Sequence, residues 1–328
     1  MPKASKIKVL PLAFESLGVR SMCTFVETPD IKVLLDAGIS LGPSRYGYPP
    51  HPKEYQALKE RRNLILDFAE KSDVVTISHY HFDHHTPSYT DWASNWSSAE
   101  ISEKTYKGKI VFAKSYKSKI NPSQRHRGWM FERTGGRHAS KLEFVDARSF
   151  RFGATTITFS KPVFHGFEGS ELGWVLMVTI AHEAEKVLFA PDVQGPSCED
   201  TVSVIISEEP QLAIVGGPPL YLPEFRESPE KTIQAMGNLE SIVKIVPTTI
   251  LDHHLLRDEN WKEAAGNVVD VAQSMGHALV TAAEYAEGKN SMLESQRKVL
   301  FETEPPSPDF IRWTKVPAQQ RRLTPPPV

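Results

Sequence analysis

The segment Ser78-His79-Tyr80-His81-Phe82-Asp83-His84-His85 places four imidazoles and a carboxylate within seven residues. It directly follows Asp73-Val-Val-Thr-Ile77, an apolar run of strand length. Imidazoles gain little by packing against one another and repel once protonated. A fold that gathers four of them needs a partner for their lone pairs, and a metal ion is that partner. In extended backbone, alternate side chains share a face, so His79 and His81 can hold one ion together. The chain then turns, and Asp83 and His84 can face a second ion about 3.5–4 Å from the first. His85 is left over from this pattern, either as a surface or supporting histidine or as a functional one.

Two ions require more ligands, and later strand ends supply them. His165 stands in Pro162-Val-Phe-His-Gly166 and Asp192 in Leu188-Phe-Ala-Pro-Asp192; His253 and His254 follow Thr249-Ile-Leu-Asp252. Asp36 ends another apolar strand, Lys32-Val-Leu-Leu-Asp36, before Ala37-Gly38. The donors are nitrogen and oxygen without thiolate, which suits zinc and also admits iron or manganese. The two cysteines, Cys23 and Cys198, are too few and too far apart for a disulfide framework or a cysteine zinc site.

Around these motifs, strands alternate with helices, the pattern of an α/β fold. Strands are predicted at 8–12, 23–28, 32–36, 73–78, 109–113, 142–145, 155–159, 173–180, 186–190, 212–215 and 248–251. Helices are expected over 53–71, 202–206, from Pro229 behind an N-cap at Ser228 to about Lys244, and as one long helix over 259–287. Residues 1–303 read as one domain, with 86–140 as a possible lid or insert. Residues 304–328 read as a Pro-rich, extended or mobile tail. With a net charge of −2, nothing draws the whole chain toward nucleic acid or an anionic membrane. No run approaches the roughly 18 apolar residues of a membrane helix, so the expected location is the cytoplasm.

The combined pattern resembles the metallo-β-lactamase superfamily, whose signature is H-x-H-x-D-H followed by a later His, Asp and His. More closely, His79 to Pro87, Ile120-Asn-Pro-Ser-Gln124 and Asp252-His-His-Leu-Leu-Arg-Asp258 resemble a largely archaeal family of predicted metallo-hydrolases. The resemblance spans roughly residues 8 to 290. It implies a four-layer αββα sandwich with the site at one edge between two sheets. It also implies that His79, His81 and His165 hold a first ion, that Asp83, His84 and a last histidine hold a second, and that Asp192 bridges. Asp36 would orient a ligand from behind. His253 is the preferred last ligand, because it follows its strand's final apolar position by two residues, as His79 follows Ile77; His254 would then contact substrate.

The implied chemistry is hydrolysis of an ester, lactone, amide or phosphodiester bond. A water shared between the ions would act as nucleophile, with Asp83 helping to orient or deprotonate it. A nuclease acting on RNA or DNA, a di-iron redox protein and a metal-stabilised scaffold are the alternatives. The substrate, a small molecule or a phosphodiester, and the oligomeric state are not specified. Two further residues are candidates for the site. Tyr221 is either a site residue or a packing tyrosine, and Arg257 either faces substrate or pairs with Asp258 or Glu259. The basic stretch Lys114 to Arg137 either grips an anionic substrate or forms a solvated helix face around a buried Trp129.

Overall fold

The computed structural model describes residues 5–328. A first sheet is built in chain order from β1 (Lys8–Phe14), β2 (Met22–Glu27), β3 (Lys32–Leu35), β4 (Val74–Ile77), β5 (Ile110–Ala113) and β6 (Lys141–Phe144). Strands β1 to β3 form an antiparallel meander, and β3 to β6 run parallel. Then follow β7 (Ser149–Phe152), β8 (Thr155–Phe159), the short ribbon β9 (Val163–Phe164) and β10 (Trp174–Val175), and β11 (Val178–His182). The chain continues with β12 (Glu185–Ala190), β13 (Leu212–Gly216), β14 (Thr248–Asp252) and β15 (Ala278–Val280). Apart from the ribbon, these make a second sheet of order β15-β14-β13-β12-β11-β8-β7, parallel from β12 to β15.

Strand alternation sorts apolar side chains into three layers. Val33 and Leu35 of β3, with Val74 of β4, meet Ile157, Val178, Phe189 and Ile214 of the second sheet. Leu34, Val75 and Ile77 point the other way, onto Tyr55, Leu58 and Ile65 of the helix Pro52–Lys71. Leu188, Ala213 and Val215 face outward from the second sheet onto the helices Glu199–Ser207, Pro229–Ile245 and Gly266–Ser274. Helices thus cover the outer face of each sheet, the αββα order expected. Among the described residues, no helix is long and apolar enough to cross a membrane.

Several elements depart from the sequence reading. The run 173–180 divides into β10 and β11, because Leu176 leaves the ladder to donate its N–H to Ser78 O (3.0 Å). The long helix expected over 259–287 is broken into Trp261–Ala264, Gly266–Ser274 and Ala282–Tyr285. Gly276 takes a positive φ of 70° and ends the middle piece, after which Ala278–Val280 pairs with β14. Ser228 precedes Pro229 as expected, but its hydroxyl makes no capping bond to the helix backbone.

Residues 86–140 are no separate insert: β5 lies between β4 and β6 in the first sheet. The fully buried Arg62 ties this segment down, donating to Ala37 O, Asn95 O, Trp96 O and Thr86 Oγ1. Trp129, on the helix Pro122–Arg133, is 39% exposed rather than buried, and the Arg133 guanidinium lies 4.2 Å over its ring.

The C-terminal residues are also not an extended tail. They form helices Pro308–Thr314 and Ala318–Leu323. Pro308 occupies a first helical turn, where its missing N–H costs nothing, and Ser307 Oγ caps Phe310 N. Phe310 is fully buried and packs on Tyr55, as does Trp313. Phe310→Ala is therefore expected to lower unfolding stability by about 3–5 kcal/mol in denaturant titrations; a mobile tail would give no change.

Candidate metal centre

Five of the candidate side chains or their supports leave the carboxyl ends of strands that point to one edge of the sandwich. Asp36 follows β3, His79 follows β4, Asp192 follows β12 and His253 follows β14. Glu15 follows β1, which runs the same way as β3 because both are antiparallel to β2. In open α/β sheets this is the edge where ligands bind. Gly38 permits the loops to meet there: a Cβ at Gly38 would lie 2.2 Å from His85 N and 2.3 Å from His84 N. Asp36, Asp192 and His253 take left-handed φ values of 48°, 50° and 72°. Such strain in non-glycine residues is concentrated at functional sites.

The side chains converge on Asp192, which is 1% exposed. Its Oδ2 lies 3.1 Å from His79 Nε2, 3.3 Å from His84 Nε2, 2.9 Å from His165 Nε2 and 3.7 Å from His81 Nδ1. Its Oδ1 lies 2.7 Å from His253 Nε2 and 3.0 Å from His254 Nε2. Among the groups whose ligand atoms lie mutually within 4.8 Å are His79, His81, His165 and Asp192, then Asp83, His84 and His253, and also Asp36, His79 and His84. A further group joins Asp192, His253 and His254.

Partners behind the ring fix which nitrogen points inward. His84 Nδ1 is 2.8 Å from Asp36 Oδ2, His253 Nδ1 is 2.8 Å from Glu15 Oε2, and His79 Nδ1 is 2.9 Å from Ser78 Oγ. Each arrangement leaves Nε2 facing Asp192. Asp36 also accepts from Ser78 N at 2.8 Å and from the Ser78 hydroxyl. His81 is held from its other side by Gln124 Nε2 at 3.4 Å, and Gln124 Oε1 accepts from Tyr80 N. His85 stands apart, its Nδ1 bonded to His81 O and its ring against Tyr80 and Phe131. Burial pushes its pKa down to about 3, so it is neutral.

The electrostatics follow from the same contacts. Burial lowers the pKa of His79, His81 and His254. At His84 and His253 burial acts in the same direction, but carboxylates outweigh it. Asp192 and Asp36 raise His84, while Glu15 and Asp192 raise His253 to about 9. Burial opposes ionisation of Asp192 and Asp83, yet the surrounding imidazoles hold both well below the usual carboxylate range. Asp252, next to the ring, is pushed up to about 6 by burial and by Glu15.

The structure brings Asp83, Asp192, His254 and Arg257 to one cleft of about 560 Å³, which His81 and His165 also line. Tyr221 sits behind Arg257, whose Nη1 donates to its hydroxyl at 3.2 Å. Arg257 pairs with neither Asp258 nor Glu259; it meets Glu15 Oε1 through Nε at 2.6 Å and Nη2 at 2.6 Å. Glu15 and Gln124 escaped the sequence reading. The available signal for Glu15 was an acid closing an apolar strand, as at Asp36. Nothing local in Ile120-Asn-Pro-Ser-Gln124 marks Gln124 as a support for His81. Glu15→Gln removes the counter-charge of the buried Arg257 and is expected to cost about 3–5 kcal/mol of stability by denaturant unfolding. Glu259→Gln, at an exposed position, is expected to stay within about 0.5 kcal/mol of the parent.

No protein-family model matches the chain. A UPF0282 protein of Korarchaeum cryptofilum is 40% identical over 300 residues, spanning 91% of this chain and 96% of its own. A second, from Methanopyrus kandleri, is 40% identical over 294 residues, 90% of this chain and 99% of its own. Among solved structures, the metallo-β-lactamase fold protein YhfI of Bacillus subtilis matches with a TM-score of 0.50 at 14% identity, covering 87% of this chain and 97% of that one.

Proposed function

Because the chain belongs to the UPF0282 family and has the metallo-β-lactamase fold, we propose that it is a metal-dependent hydrolase with a dinuclear centre. One observation carries this reading. His84 Nε2, His253 Nε2 and Asp192 Oδ1 are buried with no hydrogen-bond partner. Buried polar atoms without partners are costly, and here they crowd one point. A pair of cations fits these donors: imidazole nitrogen and carboxylate oxygen suit zinc, iron or manganese.

In this reading His79, His81 and His165 would hold one ion and Asp83, His84 and His253 the other, with Asp192 available to both. His253 is favoured over His254 as the last ligand because Glu15 orients its ring, whereas His254 has no hydrogen-bond partner at either nitrogen. When bound, such ions activate water near neutral pH and polarise the substrate's carbonyl or phosphoryl oxygen.

The chain's own groups do the rest. Asp83, ionised and on the cleft wall, is placed to orient the attacking water. His254 and Arg257 line the same cleft, where they hold the substrate oxygen on which charge develops. Glu15 fixes Arg257 and His253 at once, and Tyr221 supports Arg257 from behind. The substrate carries an ester, lactone, amide or phosphodiester bond.

Elemental analysis of protein purified without added metal or chelator is expected to give close to two equivalents per chain. His81→Ala and Asp192→Ala are expected to lower that content and abolish hydrolysis, with the circular dichroism spectrum preserved. Full metal occupancy and full activity in both variants would overturn the assignment. A visible absorption band would mark iron in place of zinc.

A further inference from the structure

Beside the histidine ring lies a second cavity, of about 240 Å³. Its walls are apolar: Phe82, Pro87, Met130 and Phe131 line it, with His85 at one side. Phe82 and His85 belong to the metal-ligand segment itself. Met130 and Phe131 come from the helix Pro122–Arg133. The cavity is smaller than the roughly 300–1,000 Å³ that whole drug-sized ligands occupy, so it suits a substituent rather than a complete substrate. Phe82 and Arg127 line both this cavity and the cleft over the ring. The cleft and the cavity therefore adjoin at these two side chains.

Arg127 stands at that junction. Its guanidinium lies 4.2 Å over the Phe82 ring and Nη1 donates to Tyr80 O at 3.3 Å. The other arginines of the cleft have carboxylate partners: Arg20 has Glu294, Arg257 has Glu15 and Arg322 has Asp91. Among the described residues no carboxylate forms an ion pair with Arg127, although it is largely removed from solvent. An unpaired guanidinium beside an apolar cavity is the complement of an anion that carries an apolar substituent.

We propose that the site takes a small amphipathic anion, whose charged group meets Arg127 and whose apolar substituent fills the cavity between Phe82, Pro87, Met130 and Phe131. This rests on the hydrolase reading for the placement of the reacting bond in the cleft. The recognition element itself is separate from the metal ligands.

Equilibrium binding of butyrate, hexanoate and octanoate, and of the matching neutral amides, tests it by calorimetry on the purified protein. Affinity for the carboxylates is expected to rise about three- to fourfold per added methylene until the cavity is full. The amides are expected to bind at least tenfold more weakly. Met130→Trp is expected to abolish the chain-length dependence, and Met130→Ala to move its plateau to longer chains. Arg127→Gln is expected to weaken carboxylates about tenfold while leaving the amides unchanged. Chain-length dependence unaltered in both Met130 variants, or undiminished carboxylate binding by Arg127→Gln, would overturn the proposal. A protein that binds the series as described but hydrolyses no ester, lactone, amide or phosphodiester would refute the hydrolase reading alone. One that hydrolyses its substrates with no preference for chain length would refute the cavity assignment alone.

Discussion

Burying a carboxylate among imidazoles away from water is the condition to which this molecule is fitted. Asp192 and the ring of histidines around it lose their hydration, and such groups are expensive to bury without charge compensation. The surrounding structure answers in two ways. From behind, Asp36, Glu15 and Ser78 occupy the outward nitrogens of His84, His253 and His79. In front, the inward nitrogens of His84 and His253 have no hydrogen-bond partner. The outer contacts set the tautomer and the aim of each ring.

The sheets make this convergence possible. Each sheet ends several parallel strands at the same edge, and the layer of Val, Ile, Leu and Phe between them keeps those ends in register. The left-handed turns at Asp36, Asp192 and His253 redirect the chain immediately after each strand. Rigid strands deliver the residues, and a strained joint aims them.

Much of this was legible in the sequence because it is local. The apolar run before His79, the acids closing β3 and β12, and the paired histidines after β14 all lie within a few residues of the pattern that reveals them. What was hidden depends on distant partners. Arg257 was weighed against neighbouring acids, yet it pairs with Glu15 across a separation of 242 residues. The prolines near the C-terminus suggested an irregular tail, but Pro308 begins a helix as well as any residue does. Tyr55, far away in the chain, is part of the surface that Phe310 and Trp313 cover. The long Ala- and Val-rich stretch after Glu259 read as one helix because period alone does not reveal that Ala278–Val280 finds an open edge beside β14.

The docking of Phe310 and Trp313 onto Tyr55 also bears on how the protein is made. The same N-terminal helix carries Glu54, whose buried carboxylate is neutralised by Arg297 Nη2 at 2.8 Å and Nε at 2.8 Å. During synthesis, a helix made early must therefore wait for residues made late before its outer face is covered and its buried acid is paired. Domains emerge vectorially from the ribosome, so this one passes through a stage in which most of its strands exist but one flank is still open. That flank closes only once Arg297, Phe310 and Trp313 are there to cover it.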